Sequence, residues 1–231
     1  MYYNGEIKAV LFDLDDTLVN SKKAEYDAIC ELKKMYSEFD KVKDDEFAQI
    51  WNNITLEIYE EYLKGKISFE KSRMKRMQGL FGNYLINISE AEAKNKFRDY
   101  RKIYEANWNL FNDAEEVLKN LKSKYKLVII SNGNGKQQRQ KIEHTGLNKY
   151  FSNIVISSEV GCSKPEKEIF DIACQMVDSE PKNCVMIGDK YKVDIEGSLN
   201  AGMQGIWVNR EKENSSYEYQ IKELKELKKY L

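Results

Sequence analysis

The sequence predicts an α/β protein, a parallel sheet with helices on both faces, interrupted after its first strand by an all-helical insert. Three observations carry this. A short apolar run near the start ends in a cluster of acids, the stretch after it holds only helical periodicity, and from about residue 106 strand-like and helix-like segments alternate to the end. The expected boundaries are 1–18 and 106–231 for the α/β core and 19–105 for the insert.

Ala9 to Phe12 has the length and the β-branched and aromatic content of a buried strand, and Asp13, Asp15 and Asp16 follow it at once. Adjacent carboxylates repel and are costly to desolvate. The cluster therefore implies a metal, or two acids with separate chemical tasks. On this stretch alone a solvated strand-to-loop turn accounts for it equally well, since Asp is a common turn residue. The later strands decide.

In the insert, Asn20 or Ser21 can cap a helix running to about Phe39, and Asp44 can cap the next. That second helix carries Phe47, Ile50, Trp51, Ile54 and Ile58 on one apolar stripe and ends at Gly65. A third helix begins near Ser68, with Met74, Met77 and Phe81 on one face. The fourth follows Ser89, which has capping-box spacing to Glu92, and carries Ala93, Phe97 and Tyr100.

Beyond Trp108, a helix from Asn112 or Asp113 to about Lys124 leads into Leu127–Ile130. Gln137–His144 leads into Ile154–Ile156, Pro165 to about Val177 into Cys184–Ile187, and Ile195–Ala201 into Ile206–Val208. Such repeats predict a parallel sheet, because parallel strands need a crossover and bury both sides. Tyr217, Tyr219 and Ile221, then Leu224, Leu227 and Leu231, fit an edge strand and a closing helix.

Ligands of such folds bind at the carboxyl ends of the strands. There the sequence places Asp13, Asp15 and Asp16, then Ser131-Asn132-Gly133, then Ser163-Lys164-Pro165, then Gly188-Asp189 with Asp194. One face thus collects carboxylates, a hydroxyl, an ammonium group and flexible backbone whose N–H groups could meet an anion. Gly133-Asn134-Gly135 is not a dinucleotide fingerprint, since the third glycine is missing at the required spacing and no acid closes the following strand.

Composition excludes other classes. A net charge of −1 gives no bulk attraction to a nucleic acid polymer or an anionic membrane. No apolar run approaches a membrane span, and Met1 to Glu6 lacks the pattern of a signal peptide, so a cytoplasmic protein is expected. Cys30, Cys162, Cys174 and Cys184 show no zinc spacing and read as free, mostly buried thiols. His144 is the only histidine and reads as an ordinary helix-end residue, which disfavours a histidine triad. Nothing chooses between monomer and dimer.

Taken in order, Asp13-Leu14-Asp15-Asp16-Thr17, Ser131-Asn132-Gly133, Lys164-Pro165 and Gly188-Asp189 with Asp194 resemble the four motifs of the haloacid dehalogenase-like hydrolase superfamily. The resemblance covers the whole core and implies a Rossmann-like fold. The insert is similar to the helical cap of members that carry it after the first motif. Gly65 to Glu70 with Arg73 and Arg76, and the stretches Thr145 to Leu147 and Ser157 to Gly161, are similar to the pyrimidine nucleotidase-like branch.

The resemblance implies that Asp13 is a nucleophile forming an aspartyl-phosphate and Asp15 a general acid and base. It implies Mg²⁺ held by the carboxylates of Asp13 and Asp189 and the main-chain carbonyl of Asp15, with Asp194 in support. Ser131, Asn132 with the neighbouring N–H groups, and Lys164 would bind phosphoryl oxygens. Asp16 reads as a turn residue. Family dehalogenases lack an acid at the place of Asp15, so carbon–halogen hydrolysis is disfavoured. The expected partner is a small phosphorylated metabolite, nucleoside monophosphates first, with Trp51, Tyr59, Tyr62, Tyr84 and Trp108 as aromatic residues of the insert, most of them core. A sugar-phosphate phosphatase, a phosphomutase and a non-catalytic binding module are the alternatives; the last has no need of Asp13 and Asp15 beside a metal site. Two departures stand out. Asn112-Asp113 replaces a frequent Pro-Gly, and Lys190-Tyr191-Lys192 puts cations where small residues are common, either to attract a multiply charged substrate or, as favoured, as a solvated loop.

Overall fold

The computed structural model describes residues 6–231; the amino-terminal signal reading rests mainly on residues outside them. The chain forms two compact units, a sheet unit of Met1–Ser21 and Asn109–Leu231 and a helical unit of Lys22–Trp108. No helix among the described residues is long and apolar enough to cross a membrane.

Strand β1 (Ala9–Phe12) is fully buried along its length, as its uninterrupted apolar sequence requires. The chain then turns through Asp16, at φ +61, and runs beside its own returning segment, with Asn20 N–H donating to Asn109 O and Phe111 N–H to Leu18 O, both at 2.9 Å.

Helix α1 (Ser21–Lys33) stops before the expected Phe39. Its end closes with 3₁₀-type bonds from Met35 N–H to Leu32 O and Tyr36 N–H to Lys33 O, and Lys33 Nζ turns to Val42 O (2.6 Å) and Asp44 (2.5 Å). A separate 3₁₀ turn, Ser37–Phe39, buries Phe39. Helix α2 (Asp44–Leu63) includes Asp44 rather than being capped by it, because that carboxylate is held by Lys33; Lys43 takes the cap position without a side-chain bond. The acids of its first turn still suit the positive end of the helix dipole. Gly65, at φ +68, ends the segment in a left-handed conformation that glycine adopts without steric cost.

Helix α3 (Phe69–Asn83) is capped by Ser68, which accepts from Lys71 N–H, and α4 (Glu90–Ala106) by the Ser89–Glu92 box, complete in both directions. The faces of these helices close on an aromatic core of Phe39, Phe47, Trp51, Phe81, Phe97 and Tyr100. Trp51 and Tyr100 lie 4.7 Å apart between ring centroids. Trp108 is buried there too and Tyr84 packs against the cluster, while Tyr59 and Tyr62 are half-buried. Ile50 and Ile54 from the predicted stripe flank this core partly exposed.

In the sheet unit α5 (Ala114–Lys122), β2 (Lys126–Ser131), α6 (Gly135–His144), β3 (Asn153–Ile156), α7 (Ser157–Val160), α8 (Lys167–Met176), β4 (Cys184–Gly188), α9 (Gly197–Asn200), β5 (Gln204–Val208) and β6 (Gln220–Ile221) follow in turn. The six strands lie in the order β3-β2-β1-β4-β5-β6, all parallel, with Val10 between Leu127 and Val185. Alternate β1 residues feed different cores. Val10 and Phe12 join Leu118, Ile129 and Ile187 on one side, Ala9 and Leu11 join Val128, Ile130 and Phe170 on the other. Order reverses around β1, which makes the carboxyl ends of β1, β2 and β4 the place for a ligand.

Three expectations are revised here. Pro165 lies before α8, not in its first turn, and Glu166 is the cap residue. The expected helix Ile195–Ala201 begins earlier, as a π-type turn over Tyr191–Glu196 that runs into α9. The closing helix is 3₁₀, Leu224–Lys229. Asp113 does not cap α5 with its side chain. Its carboxylate takes both Arg210 Nη groups at 3.1 Å and Leu224 N–H at 2.7 Å, fastening the carboxyl-terminal segment to the sheet. All four cysteines are free and buried, and His144 is exposed at the end of α6.

Candidate active site

Two groups of polar side chains meet at the carboxyl ends of the central strands, both inside the sheet unit. The first surrounds Asp13, placed directly after β1, where its N–H continues the sheet by donating to Ile187 O at 2.9 Å. Lys164 Nζ bridges Asp13 Oδ1 (2.6 Å) and Asp194 Oδ1 (2.7 Å), and all three side chains are buried. Asp194 reaches inward because the π-type turn folds it back: its N–H donates to Lys190 O (2.8 Å) and its Oδ2 accepts from Lys190 N–H (2.9 Å). Only glycine permits this approach. A Cβ on Gly188 would stand 2.4 Å from the Asp194 carboxyl.

Asp189, at the end of β4, completes the group. Carboxylate oxygens of Asp13, Asp189 and Asp194 lie within 4.8 Å of one another, and Asp189 Oδ1 is buried with no hydrogen-bond partner. Burial, against the pull of Lys164 and reinforced by Asp194, pushes Asp13 up to about 7. Burial together with Asp13 and Asp194 pushes Asp189 up to about 8. Burial opposes the Lys164 ammonium, but Asp13 and Asp194 raise it above its ordinary value. One ammonium leaves three acids undercompensated, and an orphaned carboxylate oxygen among hard oxygen donors fits a divalent cation such as Mg²⁺.

The second group surrounds Asp15. Its carboxylate is not part of the three-acid cluster. Oδ1 accepts from Lys141 Nζ and from Ser21 Oγ, and Oδ2 from Gln138 Nε2 at 2.7 Å. Burial alone would raise this carboxyl, but the charge and hydrogen bond of Lys141, with Ser21 and Gln138, hold it down to about 2. Gln138 Nε2 also donates to Ser131 Oγ at 2.9 Å, joining the end of β2 to the end of β1.

The Asn132 side chain turns to the backbone of Lys164. Its Nδ2 donates to Lys164 O (2.8 Å) and its Oδ1 accepts from Lys164 N–H (2.9 Å), so the amide fixes the Lys164 backbone. The Gly133 N–H is likewise engaged, by Ser157 Oγ at 2.9 Å. Lys190 and Lys192 are exposed.

Sequence reasoning missed Ser21, Gln138 and Lys141. A signal was present, because Gly135, Gln138, Lys141 and Ile142 occupy the buried stripe of α6, and a core-facing stripe filled by Gln and Lys marks a polar partner inside.

The profile of haloacid dehalogenase-like hydrolases matches residues 7–202. The chain belongs to this family. It is a hydrolase of the haloacid dehalogenase-like group. N-acylneuraminate-9-phosphatase of Mus musculus is 28% identical over 227 residues, covering 89% of this chain and 84% of the relative. Pyrimidine 5'-nucleotidase YjjG of Escherichia coli (strain K12) is 28% identical over 201 residues, covering 87% and 85%. Among solved structures, HAD-hydrolase YfnB from Bacillus subtilis, bound to magnesium, superposes with a TM-score of 0.80 at 25% identity over 96% of this chain and 97% of that one.

Proposed function

We propose that this hydrolase is a Mg²⁺-dependent phosphatase that cleaves a small phosphate monoester through an aspartyl-phosphate, with nucleoside 5'-monophosphates the first substrate class. The observation that carries it is the buried Asp13, bridged by Lys164 to Asp194 and clustered with Asp189 at the strand ends. Phosphatase and nucleotidase names among the relatives support the ester class.

Asp13 attacks phosphorus, and the reaction is split into two displacements. Asp15 gives a proton to the leaving oxygen, then takes one from the attacking water, which returns it to the acid form for the next turnover. Its low value belongs to the substrate-free arrangement facing Lys141; an anionic phosphoryl group beside it opposes that pull. Ser131 Oγ accepts from Gln138 at 2.9 Å, and its hydroxyl hydrogen, which has only a long contact of 3.4 Å to Asn132 O, turns to donate to a phosphoryl oxygen. Lys164 supplies positive charge to the same group, held in place through its backbone by Asn132. Asp13, Asp189 and the Asp15 carbonyl, with Asp194 behind them, would hold Mg²⁺, whose charge lets an anionic nucleophile approach an anionic phosphate. The helical unit is proposed as the cap.

The test is phosphate release from nucleotides, sugar phosphates and an aryl phosphate, with Mg²⁺ or EDTA, by the native chain and Asp13→Asn. Release that needs Mg²⁺ and vanishes in the variant is expected. Release unaffected by EDTA or by the substitution would overturn the mechanism. Sugar phosphates are the second class, favoured by the N-acylneuraminate-9-phosphatase relative, and a panel in which nucleotides show no preference over them would select that class.

A further inference from the structure

Lys141 has no part in the phosphatase chemistry just set out, yet it is an ammonium group about 1% exposed on a helix facing the sheet. Burying a cation costs several kcal/mol unless it is paired with good geometry. Its partner is Asp15, and the surroundings of that acid are unusually complete: Lys141 and Ser21 on one oxygen, Gln138 on the other. Gln138 spends one N–H on Asp15 and the other on Ser131, so both amide hydrogens are in use. Lys141 and Gln138 stand three residues apart on α6 and present adjacent ends to the same carboxylate.

We infer that Lys141 and Gln138 are positioning residues for this reaction, α6 serving as the rail that holds Asp15 in register with the phosphate contact at Ser131. The inference rests on the phosphatase reading above. In the first displacement the bond from Asp13 to phosphorus forms as the bond from phosphorus to the ester oxygen breaks. The electron pair leaves on that oxygen, and the Asp15 proton goes to it. In the second, water attacks phosphorus, its proton goes to Asp15, and Asp13 is released with inorganic phosphate. A proton donor works only within hydrogen-bond reach of its acceptor, so a carboxyl free to rotate costs rate where the leaving oxygen needs the proton. Lys141 Nζ donates to Asp15 and reaches Ser21, whereas Gln138 Nε2 joins Asp15 to Ser131. The two residues should therefore fail in different ways.

The experiment compares kcat/KM for an alkyl phosphate, whose alkoxide leaving group needs a proton, with p-nitrophenyl phosphate, whose leaving group departs without one. For a two-step reaction this constant reads the first displacement. Lys141→Met should lose roughly 10-fold to 100-fold more on the alkyl ester than on the aryl ester, and Lys141→Arg should recover part of the difference. Gln138→Leu should add a loss on both esters and a higher KM, because Ser131 loses its partner too. If Lys141→Met unfolds, Ser21→Ala removes another contact of Asp15 and should show the same ester-selective loss in smaller degree. Equal losses on the two esters in folded variants would mean that Lys141 serves packing alone and would overturn the inference. Failure of the native chain to release phosphate from either ester with Mg²⁺ would instead overturn the phosphatase reading, and the inference with it.

Discussion

The two units bury different things. Among the described residues, the helical unit buries the polar side chains of only Lys33 and Ser72, and fills its interior with rings and aliphatic groups. In the sheet unit Asp13, Asp113, Ser131, Gln138, Lys141, Lys164 and Asp194 are all buried. Buried charge is expensive and lowers stability unless fully paired, whereas buried aromatic surface contributes it directly. Chemistry and stability should therefore separate between the units, and substitutions can break or sharpen that contrast.

The largest effect belongs to Asp13→Asn. Loss of the nucleophile should lower phosphate release at least ~10⁴-fold, about 5.4 kcal/mol at 1.36 per tenfold. The same substitution removes one of three crowded acids, so thermal unfolding should show no loss of stability in the absence of metal. A fall in Tm as large as that of a core truncation would break the contrast.

Next comes Trp51→Ala in the helical unit. Trp51 is buried against Phe97 and Tyr100, and Arg76 lies over its ring at 5.5 Å. Truncation should cost ~3–5 kcal/mol in denaturant unfolding of that unit. Stabilisation of the sheet unit by Mg²⁺ should persist in the variant, since the three acids are untouched.

A smaller effect tests the acids through linkage. Asp13 and Asp189 are raised to about 7 and about 8, above their unfolded value near 3.8. The folded site thus binds protons that the unfolded chain has released. Without metal, the contribution of these groups is fully present below the unfolded value and is lost as pH rises through 7 to 8. A cation competes with those protons, so Mg²⁺ should stabilise more at pH 8 than at pH 5, its whole contribution at pH 8 being ~2.7 kcal/mol when present at one hundred times its Kd there. Equal shifts in Tm at the two pH values would contradict this arrangement.

Much of this contrast was legible in the sequence, for a physical reason in each case. Strands such as Ala9–Phe12 and Cys184–Gly188 are buried on both faces and read as unbroken apolar runs. Ser68 and Ser89 announce helix starts through local bonds, independent of tertiary structure. The acids and Lys164 stand at strand ends, where topology brings distant segments together. What could not be read depends on where long side chains go after folding. Lys33 draws Asp44 away from the cap role its type suggests. Asn132 spends its amide on the Lys164 backbone. Lys141 looks like any surface lysine until α6 is laid against the sheet and Asp15 is found behind it. Local propensity carries no term for a partner more than a hundred residues away.

The smallest effect concerns a residue that the sequence placed correctly and that touches no chemistry. Ser89 accepts from Glu92 N–H and Glu92 accepts from Ser89 N–H at 2.8 Å, so two donors at the start of α4 are satisfied reciprocally. Ser89→Ala removes one of those bonds at an exposed helix end and should cost ~1 kcal/mol in the stability of the helical unit. Glu92 is held below its ordinary carboxylate value chiefly by the Ser89 side chain. If the helical unit contributes packing alone at this end, kcat and KM stay at native values while the unfolding midpoint falls. A change in KM from so remote and conservative a substitution would show that the stability of α4 is coupled to substrate binding, and the separation of chemistry from packing would then have to be drawn within the helical unit rather than between the two.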